Sequence, residues 1–365
     1  MKTRTPAYSR SPARLGFAAL VGFSVFVATS PTVAQTARAD VTPAAATVSF
    51  AAAIERARDL QPLETLIVAQ DGDLLVDEGF RGNSTSAPTN IKSASKSIVS
   101  ALVGIAIDKG LLEGVDQRIA PLLEDKLPAN PDPRMADITI GHLLSMQAGL
   151  GRTSGPNYGA WISSRDWVRA ALARPFDDDP GGAMLYSTGS THLLSAILTR
   201  VGGKNTLALA REWLGPSGVA IADWDRDPQG IPLGGNQMAM SPKSLVAFGE
   251  LYRNGGRNGV GAQVIPTAWI EQSWVPRTRS RFSGEPYGYG WFEANFGGHT
   301  VHYGWGYGGQ MIYVLPDLDL TVAITSSEGA PSARTGYKEE LHRLVTETIV
   351  PMAAARKGAA AREDG

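Results

Sequence analysis

The 365-residue chain contains no cysteine. That absence excludes disulfide bonds, thiol catalysis and thiolate metal sites. A chain that will meet an oxidising compartment loses little by having no thiols. The sequence also has no cluster of Lys and Arg residues of the kind that contacts a phosphate backbone, so it does not indicate nucleic-acid binding.

The N-terminal segment lacks acidic residues and has only a short apolar run. Basic residues at positions 2, 4, 10 and 14 precede the run Leu15–Ala28, which is shorter than the roughly 20 residues of a bilayer-spanning helix. Small residues then offer cleavage after Ala34 or after Ala39. This layout is typical of a secretory signal peptide over residues 1–39. We therefore expect a periplasmic or extracellular protein with no stable membrane anchor.

The remaining chain has the composition of a compact enzyme. Hydrophobic residues make up 43% of the whole sequence, with 41 Gly and 23 Pro. Removing residues 1–39 leaves 29 basic and 35 acidic residues, a net charge near −6.

The order of the predicted elements indicates the fold class. Residues 65–76 read as a β-hairpin with an Asp-Gly turn at Asp71-Gly72, and short runs rich in β-formers recur between residues 287 and 325. Helical patterns lie between them. We expect an α+β fold in which both chain ends form an antiparallel sheet flanked by helices, with a mostly helical subdomain inserted. The expected domain is residues 40–350, with strands at about 60–90 and 285–330, helices at about 93–270, and a frayed tail at 351–365.

The first chemical motif is the Ser93-Ala-Ser-Lys96 segment. Ser93 and Lys96 are one helical turn apart, so their side chains share a face. After Lys96 the helix is apolar or small on every side up to Asp108, which predicts burial. Burial lowers the pKa of a lysine, and a neutral amine can accept the proton of a serine nucleophile. Ser-x-x-Lys is common by chance, and the buried helix is what makes this copy informative.

Two further segments are informative only in combination with the Ser93–Lys96 pair. Tyr186 stands in a loop before a predicted helix, where it could relay protons if a nearby cation lowered its pKa. The Gly-rich segment 304–310 lies between two predicted strands, where a backbone N–H can approach a ligand closely. No basic residue or helix signal follows it, so phosphate binding is not indicated.

Together, these motifs resemble the serine β-lactamase and penicillin-binding-protein superfamily. The similarity is greatest to its esterase and amidase members, including class C β-lactamases and 6-aminohexanoate-dimer hydrolases. It covers most of residues 60–350 and includes Thr139–Leu150, Gly235–Ser241 and Tyr287–Trp291.

The resemblance implies roles for individual residues. Ser93 would be the acylated nucleophile, Lys96 its activating amine, and Tyr186 the general base and acid. The backbone N–H groups of Ser93 and Tyr307 would form the oxyanion hole. Substrate would be bound by four residues, namely Gly304, Trp305, Gly306 and Thr188.

The third motif of the superfamily has two possible registers here. It maps best to Gly304-Trp305-Gly306, and the alternative is His302-Tyr303-Gly304. In the first register no lysine is present to bind a substrate carboxylate, and Thr188 replaces the asparagine common after the tyrosine. Both departures favour uncharged esters or amides over penicillins.

We therefore expect an exported serine hydrolase that cleaves a small ester or amide through an acyl-enzyme, without metal or cofactor. A D-alanyl carboxypeptidase or β-lactamase with the same apparatus is one alternative. A catalytically silent ligand-binding module of the same fold is the other.

Overall fold

The computed structural model describes residues 49–363. The predicted signal peptide lies outside the described residues. An eight-stranded antiparallel sheet has the strand order β2-β1-β11-β10-β9-β8-β7-β6, and a three-stranded sheet has the order β3-β5-β4. The strands are β1 (Leu63–Gln70), β2 (Asp73–Gly79), β3 (Thr89–Asn90), β4 (Ile221–Trp224), β5 (Met238–Met240), β6 (Thr278–Arg279), β7 (Pro286–Tyr287), β8 (Phe292–Phe296), β9 (His299–Gly306), β10 (Gln310–Leu315) and β11 (Leu320–Ser326).

Helices precede, separate and follow these strands. They are α1 (Ala51–Asp59), α2 (Ser95–Asp108), α3 (Ile140–Leu144), α4 (Tyr158–Ile162), α5 (Trp167–Leu172), α6 (Thr188–Val201), α7 (Thr206–Trp213), α8 (Pro242–Arg253), α9 (Thr267–Trp274), α10 (Ser332–Thr335), α11 (Tyr337–Leu344) and α12 (Val350–Glu363). Short 3-10 turns connect several of them, and a π-helical turn joins α11 to α12.

The large sheet is formed by the two ends of the described chain. β1 pairs with β11 in an antiparallel register that includes Ile67 opposite Ala323, and the hydroxyls of Thr65 and Thr325 lie 2.6 Å apart across it. The predicted hairpin is present as β1 and β2, with Asp71 and Gly72 at the turn. The expected antiparallel sheet of both chain ends is therefore confirmed.

Both faces of the sheet are buried. Alternate residues of each strand point to opposite faces, and each face packs into a separate hydrophobic core. On β1, Leu66 and Val68 pack with the helices of the chain ends, α1 and α11. Ile67 and Ala69 belong to the core that contains α2, α6 and α8. The central helix α2 is buried from Ser95 to Ala106, as its lack of a polar face predicted.

The C-terminal segment differs from its prediction. It was expected to fray, but α12 continues to Glu363. Ala353 is fully buried, and its carbonyl accepts a hydrogen bond of 2.8 Å from Gln70 Nε2. Arg356 and Lys357 pair with Asp73 and Asp319 on the strand turns. An Ala-rich charged sequence is a good helix former, and these contacts hold it against the sheet.

Candidate active site

Ser93 lies where the first strand of the small sheet leads into the central helix. β3 ends at Asn90, a 3-10 turn covers Lys92–Ala94, and α2 begins at Ser95. The Ser95 hydroxyl donates to the Lys92 carbonyl at 2.7 Å and tightens this turn. Ser93 is thus partly exposed at the N-terminal end of a buried helix, where backbone N–H groups are not used by the helix itself.

Lys96 lies one turn into the helix and points back to Ser93. Its Nζ atom is 2.9 Å from Ser93 Oγ and 2.7 Å from the carbonyl oxygen of Gly235. The residue is only 3% exposed. Among residues 49–363, no carboxylate lies within ion-pair distance of it. Burial without a counter-charge lowers the pKa of Lys96 from 10.5 to about 7, so a large fraction of the amine is neutral near physiological pH.

Only glycine fits at position 235 without displacing its neighbours. Its φ is +79°, and an added Cβ would lie 2.8 Å from Lys96 Cγ and 2.9 Å from Thr191 Cβ. A side chain at this position would push the lysine away from its carbonyl partner. The glycine therefore allows the backbone to approach the amine closely.

Tyr186 lies beside the same amine. The centre of its ring is 4.9 Å from Lys96 Nζ, and the ring packs against Tyr287 and Phe292. Burial raises the pKa of Tyr186 to about 12, and the Ser93 hydroxyl offsets this only in part. The condition set from the sequence, a cation that lowers this pKa, is therefore not met, because burial among aromatic residues has the larger effect. The side chain is a phenol, able to donate a proton, over the whole physiological range.

The segment Thr139–Leu150 explains how Tyr186 is held. Thr139 and His142 form a reciprocal capping box that starts α3. Met146, which follows α3, accepts the backbone N–H of Leu185 through its carbonyl at 2.8 Å. Gln147 Nε2 donates to the carbonyls of Gly181 and Gly182. This motif therefore positions the tyrosine loop.

Strand β9 closes the other side of the nucleophile. An added Cβ on Gly306 would lie 2.4 Å from the Ile91 carbonyl oxygen and 3.0 Å from Lys92 Cβ, so only glycine fits here without displacement. The following turn is fixed by the buried Gln310, whose Nε2 donates to the Ser326 carbonyl. Tyr307, the residue after Gly306, is 48% exposed.

The two registers of the third motif differ in their surroundings. Gly304, which both registers share, lies against α2, and Gly306, which only the first register contains, lies against Ile91 and Lys92 just before Ser93. His302 is instead stacked on Trp274, with ring centres 4.2 Å apart. Within the described chain, His302 makes no hydrogen bond to Ser93, Lys96 or Tyr186. These contacts favour the register Gly304-Trp305-Gly306.

A family model described as beta-lactamase matches residues 57–347 of the chain. The chain belongs to the beta-lactamase family. The resemblance and the fold class inferred from the sequence are thus confirmed, and the chain is a member of a hydrolase family.

Solved structures and curated proteins place this beta-lactamase family member among diverse relatives. A Bacillus anthracis protein assigned as a 6-aminohexanoate-dimer hydrolase has 18% identity and a TM-score of 0.67, with 84% of this chain and 82% of that chain covered. The hydrolase EstCE1, which has promiscuous acyltransferase activity, has 19% identity and a TM-score of 0.65, with 82% and 96% covered. At these identities the likeness shows the fold alone.

A curated relative is more similar over a shorter stretch. It is assigned as the fimbrial assembly protein FimD, serogroup H1, of Dichelobacter nodosus, and is 32% identical over 144 residues. That match covers 38% of this chain and 36% of the relative, so the chain spans about a third of that relative's length.

Two residues predicted to bind substrate make hydrogen bonds to other residues of the protein. The Thr188 backbone N–H donates to Ser154 Oγ at 2.8 Å, and the two hydroxyls lie 3.0 Å apart. The Trp305 indole donates to Ser332 Oγ at 3.0 Å, and the ring lies over the ammonium of Lys338. Ser154 thus holds the first residue of α6, and no sequence signal pointed to it.

The reasoning from sequence also missed the surroundings of Lys92 in this beta-lactamase family site. Its Nζ lies 2.5 Å from Glu328 Oε2 and 2.9 Å from Gln237 Oε1. All three residues are far apart in the chain. The one available signal was that Lys92 directly precedes the serine.

The structure also bears on membrane association. Among residues 49–363, no helix is both long enough and apolar enough to cross a bilayer.

Proposed function

We propose that this protein is a serine hydrolase that cleaves an ester or amide through an acyl-enzyme on Ser93. The observation that carries the proposal is the buried Lys96 amine, 2.9 Å from the Ser93 hydroxyl, with a pKa of about 7 and no carboxylate partner in the described chain. A purely structural lysine would be expected to have a buried counter-charge or to extend to solvent.

In the first step the neutral Lys96 amine accepts the proton of Ser93 as Oγ attacks the substrate carbonyl carbon. An N–H of the neutral amine stays on the Gly235 carbonyl, which leaves the lone pair free to accept the serine proton. The backbone N–H groups of Ser93 and Tyr307 would stabilise the resulting oxyanion.

The leaving group then needs a proton. The Tyr186 phenol donates one and regains one from the Lys96 ammonium, which restores the neutral amine. We thus assign the base to Lys96 and the proton donor to Tyr186, since a phenol with a pKa of about 12 is a poor base at neutral pH. Water attacks the acyl-enzyme, loses its proton to the same relay, and Ser93 leaves as the hydroxyl.

The preferred substrates would be uncharged esters or amides. The third motif Gly304-Trp305-Gly306 carries no lysine that could bind a carboxylate. A penicillin or a D-alanyl peptide needs such a contact more than a simple ester does. Two proteins of similar fold, the hydrolase EstCE1 and a D-stereospecific amidohydrolase from Streptomyces sp., are consistent with this choice.

A fluorophosphonate probe tests the proposal directly. The probe should add one adduct to the intact protein, and peptide mapping should place the adduct on Ser93. Ser93→Ala and Lys96→Met should abolish labelling and p-nitrophenyl ester hydrolysis, while Ser100→Ala, on the same buried helix, should retain both. An adduct on another residue, or ester hydrolysis that survives Ser93→Ala, would refute the assignment.

The same assay separates the alternatives. Rapid penicillin acylation of Ser93 with poor ester turnover would identify a penicillin-recognising enzyme. A folded protein that neither labels nor hydrolyses would be a binding module.

We also propose that the chain is exported, on the basis of the signal-peptide layout in residues 1–39. N-terminal sequencing of the mature protein should give a start after Ala34 or Ala39. A mature protein that still begins at residue 1 or 2 would rule export by this route out.

A further inference from the structure

Two residues beside the candidate catalytic pair have an unusual backbone. Lys92, directly before Ser93, has a φ of +50°, and Gln237, two residues after Gly235, has a φ of +53°. Glycine adopts this left-handed conformation freely, whereas a residue with a side chain is strained in it. Strain at two adjacent points of a site calls for a compensating interaction of the side chains.

The side chains provide that interaction by binding each other. Lys92 Nζ donates to Gln237 Oε1 at 2.9 Å, and Asn90 Nδ2 donates to the same oxygen at 2.8 Å. Asn90 Oδ1 in turn accepts the Lys92 backbone N–H at 3.0 Å. Glu328, from the loop after β11, pairs with the Lys92 ammonium at 2.5 Å.

This cluster joins the two segments that define the reacting geometry. One segment runs from Asn90 to Ser93 and places the nucleophile. The other runs from Gly235 to Gln237 and supplies the carbonyl that holds Lys96 Nζ. The strand pairing of Asn90 with Ala239 brings the segments together, and the Lys92–Gln237 hydrogen bond joins them a second time.

We propose that Lys92 and Gln237 are positioning residues, whose mutual hydrogen bond holds Ser93 and the Gly235 carbonyl at the spacing that serine activation by Lys96 requires. This inference rests on the proposed function. Lys92 acts through the backbone of Ser93 and does not touch the reacting atoms. Glu328 pairs with the same ammonium, and the Lys92 side chain is 14% exposed.

The test uses Lys92→Gly, Gln237→Gly and the double variant in the full-length chain. Glycine removes the side chain with its hydrogen bonds and also relieves the strain, so the melting temperature should stay close to that of the wild type. Each single variant should lower kcat for a p-nitrophenyl ester by about ten- to a hundredfold, with little change in KM, because small misplacements of reacting groups are costly. Asp71→Gly is a matched control: Asp71 has a φ of +53° in the β1–β2 turn, outside the site, and its replacement should leave kcat unchanged.

The double variant decides whether the two residues act together. If they act through one shared bond, the double variant should be no slower than the slower single variant. Multiplied losses, an unchanged kcat in Lys92→Gly, or a fall in kcat that accompanies a fall in melting temperature would each overturn the proposal.

Fluorophosphonate labelling keeps this result apart from the proposed function. If the wild type is not labelled at Ser93, both proposals are refuted. If the wild type is labelled and Lys92→Gly is labelled equally fast, only the positioning role is refuted.

Discussion

Replacing Lys96 by Met should stabilise the protein at neutral pH and destabilise it at alkaline pH. The lysine is ionised in the unfolded chain, with a pKa near 10.5, but has a pKa of about 7 in the fold. The unfolded chain therefore binds more protons between these values, so wild-type stability rises with pH across that window. The fall in pKa corresponds to a destabilisation of the folded wild type by roughly 5 kcal/mol. This destabilisation applies in full below pH 7 and has disappeared above about pH 10.5.

The sign of the Met effect follows from two opposing contributions. Met fills similar space and carries no charge, so at pH 7 it avoids a penalty of roughly 4 kcal/mol. It also forfeits the hydrogen bonds to Ser93 and Gly235, worth together about 2 kcal/mol. We expect the variant to be about 2 kcal/mol more stable than wild type at pH 7 and about 1 kcal/mol less stable at pH 10.

Denaturant unfolding followed by tryptophan fluorescence can measure this difference, since the chain has eight tryptophans. Unfolding curves of both proteins at pH 7, 8.5 and 10 give the dependence, and all other titrations are common to the two proteins and cancel. A stability difference that does not change with pH would mean that Lys96 stays ionised in the folded protein. An ionised Lys96 could not act as the base that we propose.

Three further outcomes follow from the site. The wild-type kcat/KM should fall about tenfold per pH unit below pH 7 and level off above it, as Lys96 loses its proton; a stopped-flow pH profile with no inflection near 7 would contradict this. Tyr186→Phe should slow amide hydrolysis roughly a hundredfold but p-nitrophenyl ester hydrolysis much less, because nitrophenolate leaves without a proton; equal losses would argue against the proton-donor role. Gly306→Ala should lower the unfolding free energy by about 1–3 kcal/mol and kcat by tenfold or more, because its Cβ meets the Ile91 carbonyl, whereas Gly259→Ala, in open space, should change neither. A fully active Gly306→Ala would show that β9 does not need to approach the nucleophile so closely.

The parts of the fold that sequence reasoning predicted are those with strong local signals. The Asp71-Gly72 turn between β-formers gave the first hairpin, and the apolar circumference of residues 97–107 gave the buried helix. The spacing of Ser93 and Lys96 on that helix was sufficient to bring their side chains together.

The parts that escaped prediction depend on partners distant in the chain. The Gly235 carbonyl that holds Lys96 is a backbone atom, and any residue in that place would carry one. β3, β4 and β5 have two to four residues each, too few for a periodic pattern. The Lys92–Glu328 pair joins residues that are far apart in the chain, and neither has a distinctive local sequence. The high pKa of Tyr186 arises from burial, and the rings of Tyr287 and Phe292 that pack against it come about a hundred residues later.

The pairing of β1 with β11 has a consequence for the order of events in the cell. Thr65 meets Thr325 across 260 residues, so the large sheet cannot close until a ribosome has made nearly the entire polypeptide. A topology with such distant pairings folds slowly, since the loop must be closed before its contacts form. The large sheet of a newly made chain therefore forms only after most of the sequence has been synthesised.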